Sequence, residues 1–189
     1  MNEQKIISIL SNAFDTNKSV NYAILQDERR IWRLKNLVRY SMNVAKRKGE
    51  LLLNESQTAA ALLTYSSKNI HFAYQALLNL RLIMNCIGLS GIKKLSSRKK
   101  YIDSCHPKTD YIYLSFIGTD TGHHGKGHGS NLLNTIIKKS DELKMPIYLE
   151  TSMPENIPFY IKNGFTVYHE KNIDDCGFVT YFIRRENAN

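Results

Sequence analysis

The chain has 189 residues, of which 42% are hydrophobic and 23% are charged, and Lys and Arg outnumber Asp and Glu by 26 to 17. This composition is typical of a globular protein of one-domain size and excludes a disordered, collagen-like or disulfide-scaffold chain. No apolar run approaches the ~18 residues of a membrane-spanning helix. Glu3 lies early and no small-residue cleavage site follows, which excludes a secretory signal. We therefore expect a cytoplasmic protein without a membrane partner, whose net charge of +9 favours an anionic ligand.

The first 105 residues are predicted to form helices around one hairpin. Apolar side chains at helical spacing predict helices over residues 3–14, 27–48, 67–86 and 91–104. Residues 50–54 and 58–66 predict a β-hairpin, whose second strand is apolar enough for the middle of a sheet. The predicted inward stripe of the second helix is Ile31, Leu34, Val38, Met42 and Ala45. That of the third is Ile70, Ala73, Leu77, Leu80 or Arg81, and Met84.

Two of these helices carry many basic residues. The outer face of the second has Arg29, Arg30, Arg33, Lys35, Arg39, Lys46, Arg47 and Lys48. The fourth has Lys93, Lys94, Arg98, Lys99 and Lys100. For the second helix, a solvated face is the favoured interpretation, and a surface for RNA or an acidic protein is the alternative.

After residue 105 the pattern changes to strands that alternate with helices. Strands are predicted over residues 111–117, 146–151, 165–170 and 178–184. Helices are predicted over residues 130–143 and 157–163. The order of elements along the whole chain is that of a mixed α/β protein.

A glycine cluster separates the strand over residues 111–117 from the helix that follows. Its members are Gly122, Gly125, Gly127 and Gly129. Glycines let a ligand approach the backbone closely, and the free N–H groups of a first helical turn favour an anion such as phosphate or pyrophosphate. The P-loop pattern fails because Gly127 follows Lys126, and the dinucleotide pattern fails because Ser130 stands where its third small residue belongs.

The segment His124-Gly125-Lys126-Gly127-His128-Gly129-Ser130 resembles the acyl-CoA pyrophosphate loop of the GNAT superfamily of N-acetyltransferases. That family has Gln or Arg, then Gly three positions later, then Gly or Ala two positions after that. Gly127 and Gly129 match the two small positions, whereas His124 replaces the usual Gln or Arg. Downstream, residues 147–152, Asn156 and residues 159–165 resemble the next two motifs of the family at the expected spacing.

The resemblance implies the GNAT fold, an α/β fold with a mixed, mostly antiparallel sheet flanked by helices. Its two central strands splay apart, and the pantetheine arm of acyl-CoA lies in the gap. One domain over residues 1–189 is expected, with the acyl-CoA-binding core at 106–189 and, by elimination, the acceptor side at 1–105. The residues implied to bind acyl-CoA are Ile117, Thr119, His124, Gly125, Lys126, Gly127, His128, Gly129, Ser130, Asn156 and Tyr160.

Two side chains are candidates for the proton transfers of amine acylation. Tyr160 resembles the family tyrosine that protonates the leaving thiolate, and a phenol with a pKa near ~10 remains a donor at neutral pH. Packing in the core is its alternative role. Glu150 can take a proton from the incoming ammonium, directly or through a water, or be an ordinary strand-end carboxylate. Asn156 resembles the family asparagine near the pantetheine amide, and a helix N-cap explains it equally well.

A metal site is not expected. Cys86, Cys105 and Cys176 are too few and too scattered for a zinc site or a disulfide framework. His123, His124 and His128 have no carboxylate or thiolate at ligand spacing beside them, so phosphate binding is the favoured role for His124 and His128. Asp120 is expected to serve the turn.

The resemblance implies an N-acetyltransferase that moves an acyl group, by default from acetyl-CoA, to a primary amine by direct attack. A small-molecule acceptor is favoured. The alternatives are a nucleic-acid-linked or protein amine, or a regulatory module that binds acyl-CoA without chemistry. Either a monomer or a homodimer is compatible with the sequence.

Overall fold

The computed structural model describes residues 2–173 and 176–187. Its helices are α1 (Glu3–Ala13), α2 (Lys18–Ala23), α3 (Arg30–Lys48), α4 (Phe72–Leu82), α5 (Gly91–Cys105), α6 (His128–Leu143) and α7 (Ile157–Ile161). Its strands are β1 (Gly49–Leu53), β2 (Ala59–Tyr65), β3 (Ile112–Thr119), β4 (Ile147–Thr151), β5 (Thr166–Lys171) and β6 (Thr180–Arg185). A π-helical turn, Ile83–Ile87, continues α4, and short 3-10 turns lie at Thr121–His123 and Pro154–Asn156.

These strands form one sheet in the order β1-β2-β3-β4-β6-β5. Every neighbouring pair is antiparallel except β3 and β4, which are parallel. Strand β2 is buried along its whole length, as its apolar sequence predicts. The expected mixed, mostly antiparallel α/β fold is confirmed.

Strands β3 and β4 part soon after they meet. Their paired positions are Ile112 with Ile147 and Tyr113 with Tyr148, although β3 continues to Thr119. On its other edge β3 remains paired with β2. The splay of the two central strands, which the sequence pattern alone could not show, is therefore present.

A β-bulge at Ser115 re-aims the second half of β3. Leu114 and Phe116 pair with consecutive residues of β2, so Ser115 has no partner position, and its hydroxyl donates to the Leu62 carbonyl at 3.0 Å. Leu114 therefore faces one core and Phe116 the other. The bulge lies where the two strands separate.

Two apolar cores cover the two faces of the sheet. One is built with α1 and α3 and includes Ile6, Leu10, Leu34 and Val38. The other is built with α6 and α7 and includes Leu133, Ile136 and Tyr160. The gap between β3 and β4 is thus enclosed by helices on either side.

In the first half of the chain the positions of the helices were predicted more accurately than the faces that they bury. Leu34, Val38, Met42 and Ala45 are buried as predicted, but Ile31 is 47% exposed. The predicted inward face of α4 is wrong, because Leu80 and Met84 are exposed whereas Leu78, Cys86 and Ile87 are buried. Leu78 and Leu80 precede the π-helical turn, so the wrong face was already chosen within α4 itself. The turn, closed by Gly88 N donating to the Ile83 carbonyl at 2.9 Å, changes the helical phase only for the residues that follow Ile83.

Helix α2 was not predicted, because the residues that end α1 also begin the next helix. The Asn17 side chain accepts a hydrogen bond from Val20 N at 3.0 Å and caps α2.

Among the described residues no single helix is long and apolar enough to cross a membrane. The helical segments Phe72–Ile87 and Gly91–Cys105 reach the required length and hydropathy only when they are taken together, and they are bent by 117° where they meet.

Candidate acyl-CoA and acceptor site

The glycine cluster forms a loop that runs directly into α6. Gly125 and Gly127 have φ angles of +76° and +82°, a conformation that side chains with a Cβ rarely adopt. Helix α6 begins at His128, two residues before the predicted start, so His128, Gly129 and Ser130 form its first turn. The N–H groups of a first turn have no intrahelical acceptors, so this helix start offers an anion several donors.

The base of this loop is tied to α1 and β2. Asp120 N donates to the Thr58 carbonyl at 2.8 Å, and Lys5 Nζ lies 2.9 Å from Asp120 Oδ2. The hydrogen bond from Lys5 lowers the pKa of the Asp120 carboxyl. Asp120 therefore has the turn-holding role expected from its position.

Side chains in the loop are mostly exposed and bonded to the loop itself. His124 Nε2 donates to the Thr119 carbonyl at 3.1 Å, and Lys126 Nζ donates to the Gly122 carbonyl at 3.2 Å. The rings of His123 and His128 lie 5.7 Å apart, edge to face. Within the described ranges no group of three or more His, Cys, Asp or Glu is placed to hold a metal ion.

The parting of β3 and β4 leaves backbone groups unpaired on the edges that face each other. On β3 this edge includes the backbone of Ile117 and the N–H of Thr119, whose carbonyl is already bonded to His124, and both residues are only partly buried. Unpaired strand edges bind extended ligands that carry amide groups, because each free backbone N–H and C=O can form a hydrogen bond with such a ligand. The gap therefore suits the pantetheine arm of CoA, and the glycine loop with the α6 N-terminus suits its pyrophosphate.

Glu150 lies on β4 at the centre of a buried hydrogen-bond network. His106 Nε2 is 2.7 Å from Glu150 Oε1, and Tyr113 OH donates to Glu150 Oε2 at 2.6 Å. The Tyr111 hydroxyl is 3.1 Å from the other ring nitrogen of His106. The side chains of His106 and Glu150 are only 4% and 8% exposed.

Each hydrogen-bonding group of this network has a partner. Both Glu150 oxygens lie within hydrogen-bond distance of a neighbouring side chain. Burial, and then the Glu150 charge, raise the pKa of the Tyr113 phenol, so Tyr113 stays a donor. The Tyr111 hydroxyl can donate to His106 Nδ1 or accept from it, depending on the tautomer of the imidazole.

His106 and Tyr113 were not predicted as functional residues. His106 precedes Pro107 and was assigned only as the end of a helix, and Tyr113 was assigned to the strand. They are 44 and 37 residues from Glu150, so no local motif joins the three. The pairing of β3 with β4 brings Tyr113 to Glu150, and the C-terminal end of α5 brings His106.

Tyr160 lies on α7 and is 7% exposed, with its ring against Phe159 and Phe165. Its hydroxyl has no hydrogen-bond partner among the described residues, and burial raises its pKa above the ordinary value for tyrosine. The ring of Tyr160 is therefore packed in the core, which was the alternative to a catalytic role. Its hydroxyl takes no part in a hydrogen bond within the described residues that a reaction would have to break.

Asn156 lies at the N-terminus of α7 and is exposed, but its side chain makes no capping hydrogen bond. The N-cap interpretation therefore explains its position without explaining its side chain. Its amide has no described bond that would compete with a ligand.

Two parallel strands that part, a glycine loop that starts a helix at the end of one of them, and a buried carboxylate on the other define a mixed α/β fold with an opening in its sheet. Residues 82–165, less than half of the chain, match the model of the acetyltransferase (GNAT) family. This part of the chain is therefore similar to that family.

Solved structures show the same fold over most of the chain. A protein from Corynebacterium glutamicum, described as histone acetyltransferase HPA2 and related acetyltransferase, is 20% identical with a TM-score of 0.70, covering 98% of this chain and 91% of its own. The C-terminal condensation domain of Ebony is 9% identical with a TM-score of 0.64, covering 97% and 93%. Arylalkylamine N-acetyltransferase 2 from Aedes aegypti is 11% identical with a TM-score of 0.58, covering 80% and 79%.

Proposed function

We propose that this protein is an N-acetyltransferase that transfers the acetyl group of acetyl-CoA to a primary amine of a small molecule by direct attack. The observation that carries the proposal is the separation of β3 and β4 beyond Tyr113 and Tyr148, with a glycine loop at the end of β3 and Glu150 on β4. Held there, acetyl-CoA supplies an acyl group already activated as a thioester.

The donor is held mainly by backbone. Ile117 offers its backbone groups on the unpaired edge of β3, and Thr119 offers its N–H, since its carbonyl is bonded to His124. Residues 124–130 offer the N–H groups of the loop and of the first turn of α6. Asn156 adds an exposed amide beside α7. Backbone donors explain why His124 can replace the usual Gln or Arg without loss of the site.

Glu150 and Tyr160 carry the two proton transfers. Glu150 takes a proton from the incoming ammonium, and His106 positions the carboxylate and shares that proton. Tyr160 gives its hydroxyl proton to the leaving thiolate, and the raised pKa of the phenol keeps that proton available. The two groups come from β4 and α7, elements that follow one another in the chain.

The pairing of the basic residues favours a small acceptor over a nucleic acid. Arg30, Arg33 and Lys46 on α3 are paired with Asp15, Asp27 and Glu3. On α5, Arg98 is buried and Lys94 lies over the Tyr22 ring. The basic surface predicted from the sequence is therefore largely committed to contacts within the protein.

Release of free thiol from acetyl-CoA, followed with a panel of primary amines, tests the proposal. We expect turnover with at least one small amine, and an acetylated amine of the matching mass. Tight binding of CoA with no turnover for any amine, peptide or aminoacyl-tRNA would overturn the enzyme and favour a regulatory acyl-CoA-binding module.

A further inference from the structure

Helix α4 belongs to a long excursion between two neighbouring strands. Strands β2 and β3 are antiparallel neighbours whose facing ends a short turn could join. Residues 66–111 stand there instead and contain α4, the π-helical turn and α5. One face of α4 packs on α3, because Leu78 is buried and the Tyr40 hydroxyl donates to Asn79 Oδ1 at 3.1 Å. In the described part of the chain nothing covers the opposite face.

This uncovered side of α4, which we call the α4 apolar face, is exposed along its whole length. Its members are Phe72, Ala73, Ala76, Leu77, Leu80 and Met84. Phe72 and Met84, at its two ends, are 85% and 69% exposed. The face includes most of the stripe that the sequence predicted to point inward. Contiguous apolar side chains that a folded protein leaves exposed mark a surface that another molecule covers.

The charges near the α4 apolar face indicate what kind of molecule covers it. Among residues 69–92 only Arg81 is charged, whereas 23% of the whole chain is. A helix that lies on an anionic membrane, or a surface that binds nucleic acid, carries several Lys or Arg. The centres of protein interfaces are instead depleted of Lys, Asp and Glu and enriched in aromatic residues, Met and Arg. The α4 apolar face therefore has the composition of a protein interface.

A shallow depression on α4 adds a shape to that composition. Its volume is about 390 Å³, and it is lined by Phe72, Gln75, Ala76, Asn79, Leu80 and Ile83. The small Ala76 side chain lies between the larger side chains of Phe72 and Leu80, one helical turn away on either side. The depression can therefore receive one apolar side chain from a facing helix.

The row Phe72, Ala76, Leu80 and Met84 is complementary to itself. When two such rows meet antiparallel about a two-fold axis, each Phe72 lies opposite the second copy's Met84. Sulfur beside an aromatic ring is a favourable contact. Each Ala76 lies opposite the second copy's Leu80, so the leucine of each copy enters the depression of the other.

We propose that the α4 apolar face binds the same face of a second copy of this chain, with the two α4 helices antiparallel about a two-fold axis. In this pairing the two Arg81 side chains are six residues apart along the helices, about 9 Å, so like charges do not meet. A contact of one helix per copy is at the low end of interface sizes, so we expect a dissociation constant roughly in the micromolar range.

The salt dependence distinguishes this pairing from binding to an anion. Each copy has a net charge of +9, so two copies repel each other at long range and added salt screens that repulsion. Dimerisation should therefore strengthen, or stay constant, as salt is raised. Binding to an anionic membrane or a nucleic acid would weaken instead.

Sedimentation velocity over roughly 1–200 µM protein tests the pairing. We expect wild type to pass from monomer to dimer in this range. Leu80→Glu would bury a carboxylate in the depression of the other copy, so it should weaken dimerisation at least about tenfold. Leu143→Glu is the matched control, because Leu143 on α6 is 48% exposed against 53% for Leu80, and it should dimerise as wild type does. Melting at the lowest concentration should be the same for all three proteins.

A mixture of two variants tests the antiparallel arrangement. Ala76→Lys should also dimerise poorly by itself, because it fills the depression with a charged side chain. Mixed in equal amounts, the Leu80→Glu and Ala76→Lys proteins should form a heterodimer in which the new carboxylate lies opposite the new ammonium. Parallel helices would bring position 80 opposite position 80, so a mixture that does not associate would overturn the antiparallel pairing.

Three other results would overturn the inference. Wild type that remains monomeric at about 200 µM would show that the face does not bind itself. If that monomer sediments with vesicles of equal parts phosphatidylcholine and phosphatidylserine, and Leu80→Glu does not, the face belongs to a lipid surface. A wild-type dimer that Leu80→Glu leaves intact would place the interface on another part of the chain.

Discussion

The two sides of the β3–β4 gap are built in different ways. On the proposed donor side, the loop around Gly125 and Gly127 presents backbone N–H groups, and the side chains of His124 and Lys126 are exposed and bonded to backbone carbonyls of residues 119 and 122. On the proposed acceptor side, Glu150 is buried and bonded to side chains from distant parts of the sequence. One side is a contiguous segment and the other is assembled by folding.

This difference matches two different tasks. A backbone cradle suits a ligand that every member of a family shares, since it depends little on side-chain identity. A buried side-chain network suits a ligand that varies, because the charges and hydrogen bonds that select it can change while the fold remains. The two sides should therefore respond separately to mutation, and the following predictions test that separation.

The largest effect is expected on the acceptor side, from Glu150→Gln. Removal of the base should lower kcat about 10²–10⁴-fold, the range for general acid–base groups, while the Kd for acetyl-CoA stays at its wild-type value. Steady-state kinetics and calorimetry measure the two quantities.

Glu50→Gln is the control, because Glu50 is another carboxylate with a tyrosine partner, Tyr65, and lies on β1, although its side chain is more exposed than that of Glu150. It should change stability without changing kcat. A Glu150→Gln enzyme with a wild-type kcat would remove Glu150 from the mechanism.

Tyr160→Phe should lower kcat about 10²-fold, as loss of a general acid does, and leave the melting temperature unchanged because the hydroxyl has no described partner. Burial raises the pKa of this phenol, so it remains protonated beyond the ordinary value of ~10. We therefore expect no loss of kcat from this group up to about pH 10. A decline centred well below that pH, present in wild type and absent in Tyr160→Phe, would contradict the assignment.

Gly127→Ala should weaken acetyl-CoA binding about tenfold, since an L-residue in the left-handed conformation costs about 1–2 kcal/mol and relaxation would displace the loop. The kcat at saturating acetyl-CoA should change less. Gly177→Ala is a closely matched control, because the φ angle is +80° at Gly177 and +82° at Gly127. A Cβ atom added at either glycine would have no other atom within 4 Å. It lies on the acceptor side, so an equal loss of acetyl-CoA affinity there would contradict the separation.

The smallest effect is expected from Lys5→Ala, at the base of the donor loop. The pair of Lys5 with Asp120 is partly exposed, so its loss should cost less than about 1 kcal/mol at neutral pH. Lys5 lowers the pKa of Asp120 in the folded protein, so this contribution exists above the unfolded Asp pKa of ~3.9 and disappears as the pH falls below it. Chemical denaturation of both proteins at pH 7 and pH 3 should show the difference shrinking, and a difference that grows in acid would show that the pair is not responsible.

The sequence predicted the strand, the glycine loop and the helix of the proposed donor side well because their signals are local. The glycines around Gly127, the aromatic strand before them and the apolar period of α6 are all contained in residues 111–143. The acceptor side could not be predicted in the same way. His106 joins Glu150 only through tertiary packing, and Arg98, assigned from the sequence only to a basic patch, is buried.

The errors in the helical half have a related cause. Helical periodicity indicates which residues share a face, but not which face the protein covers. Leu80 of α4 and Met84 of the π-helical turn are exposed, whereas Cys86 and Ile87, at the end of that turn, are buried. The π-helical turn has more residues per turn than an α-helix, and the apolar periodicity of the sequence does not indicate where such a turn occurs.

The location of the donor is the central claim, and hydrogen–deuterium exchange with and without CoA tests it most directly. CoA should slow exchange at the loop and first turn of α6, residues 125–131, and along the unpaired half of β3, residues 114–119, with no change along α5. Protection of α5 with none at residues 125–131 would place the CoA site elsewhere and contradict the assignment of the two sides of the gap.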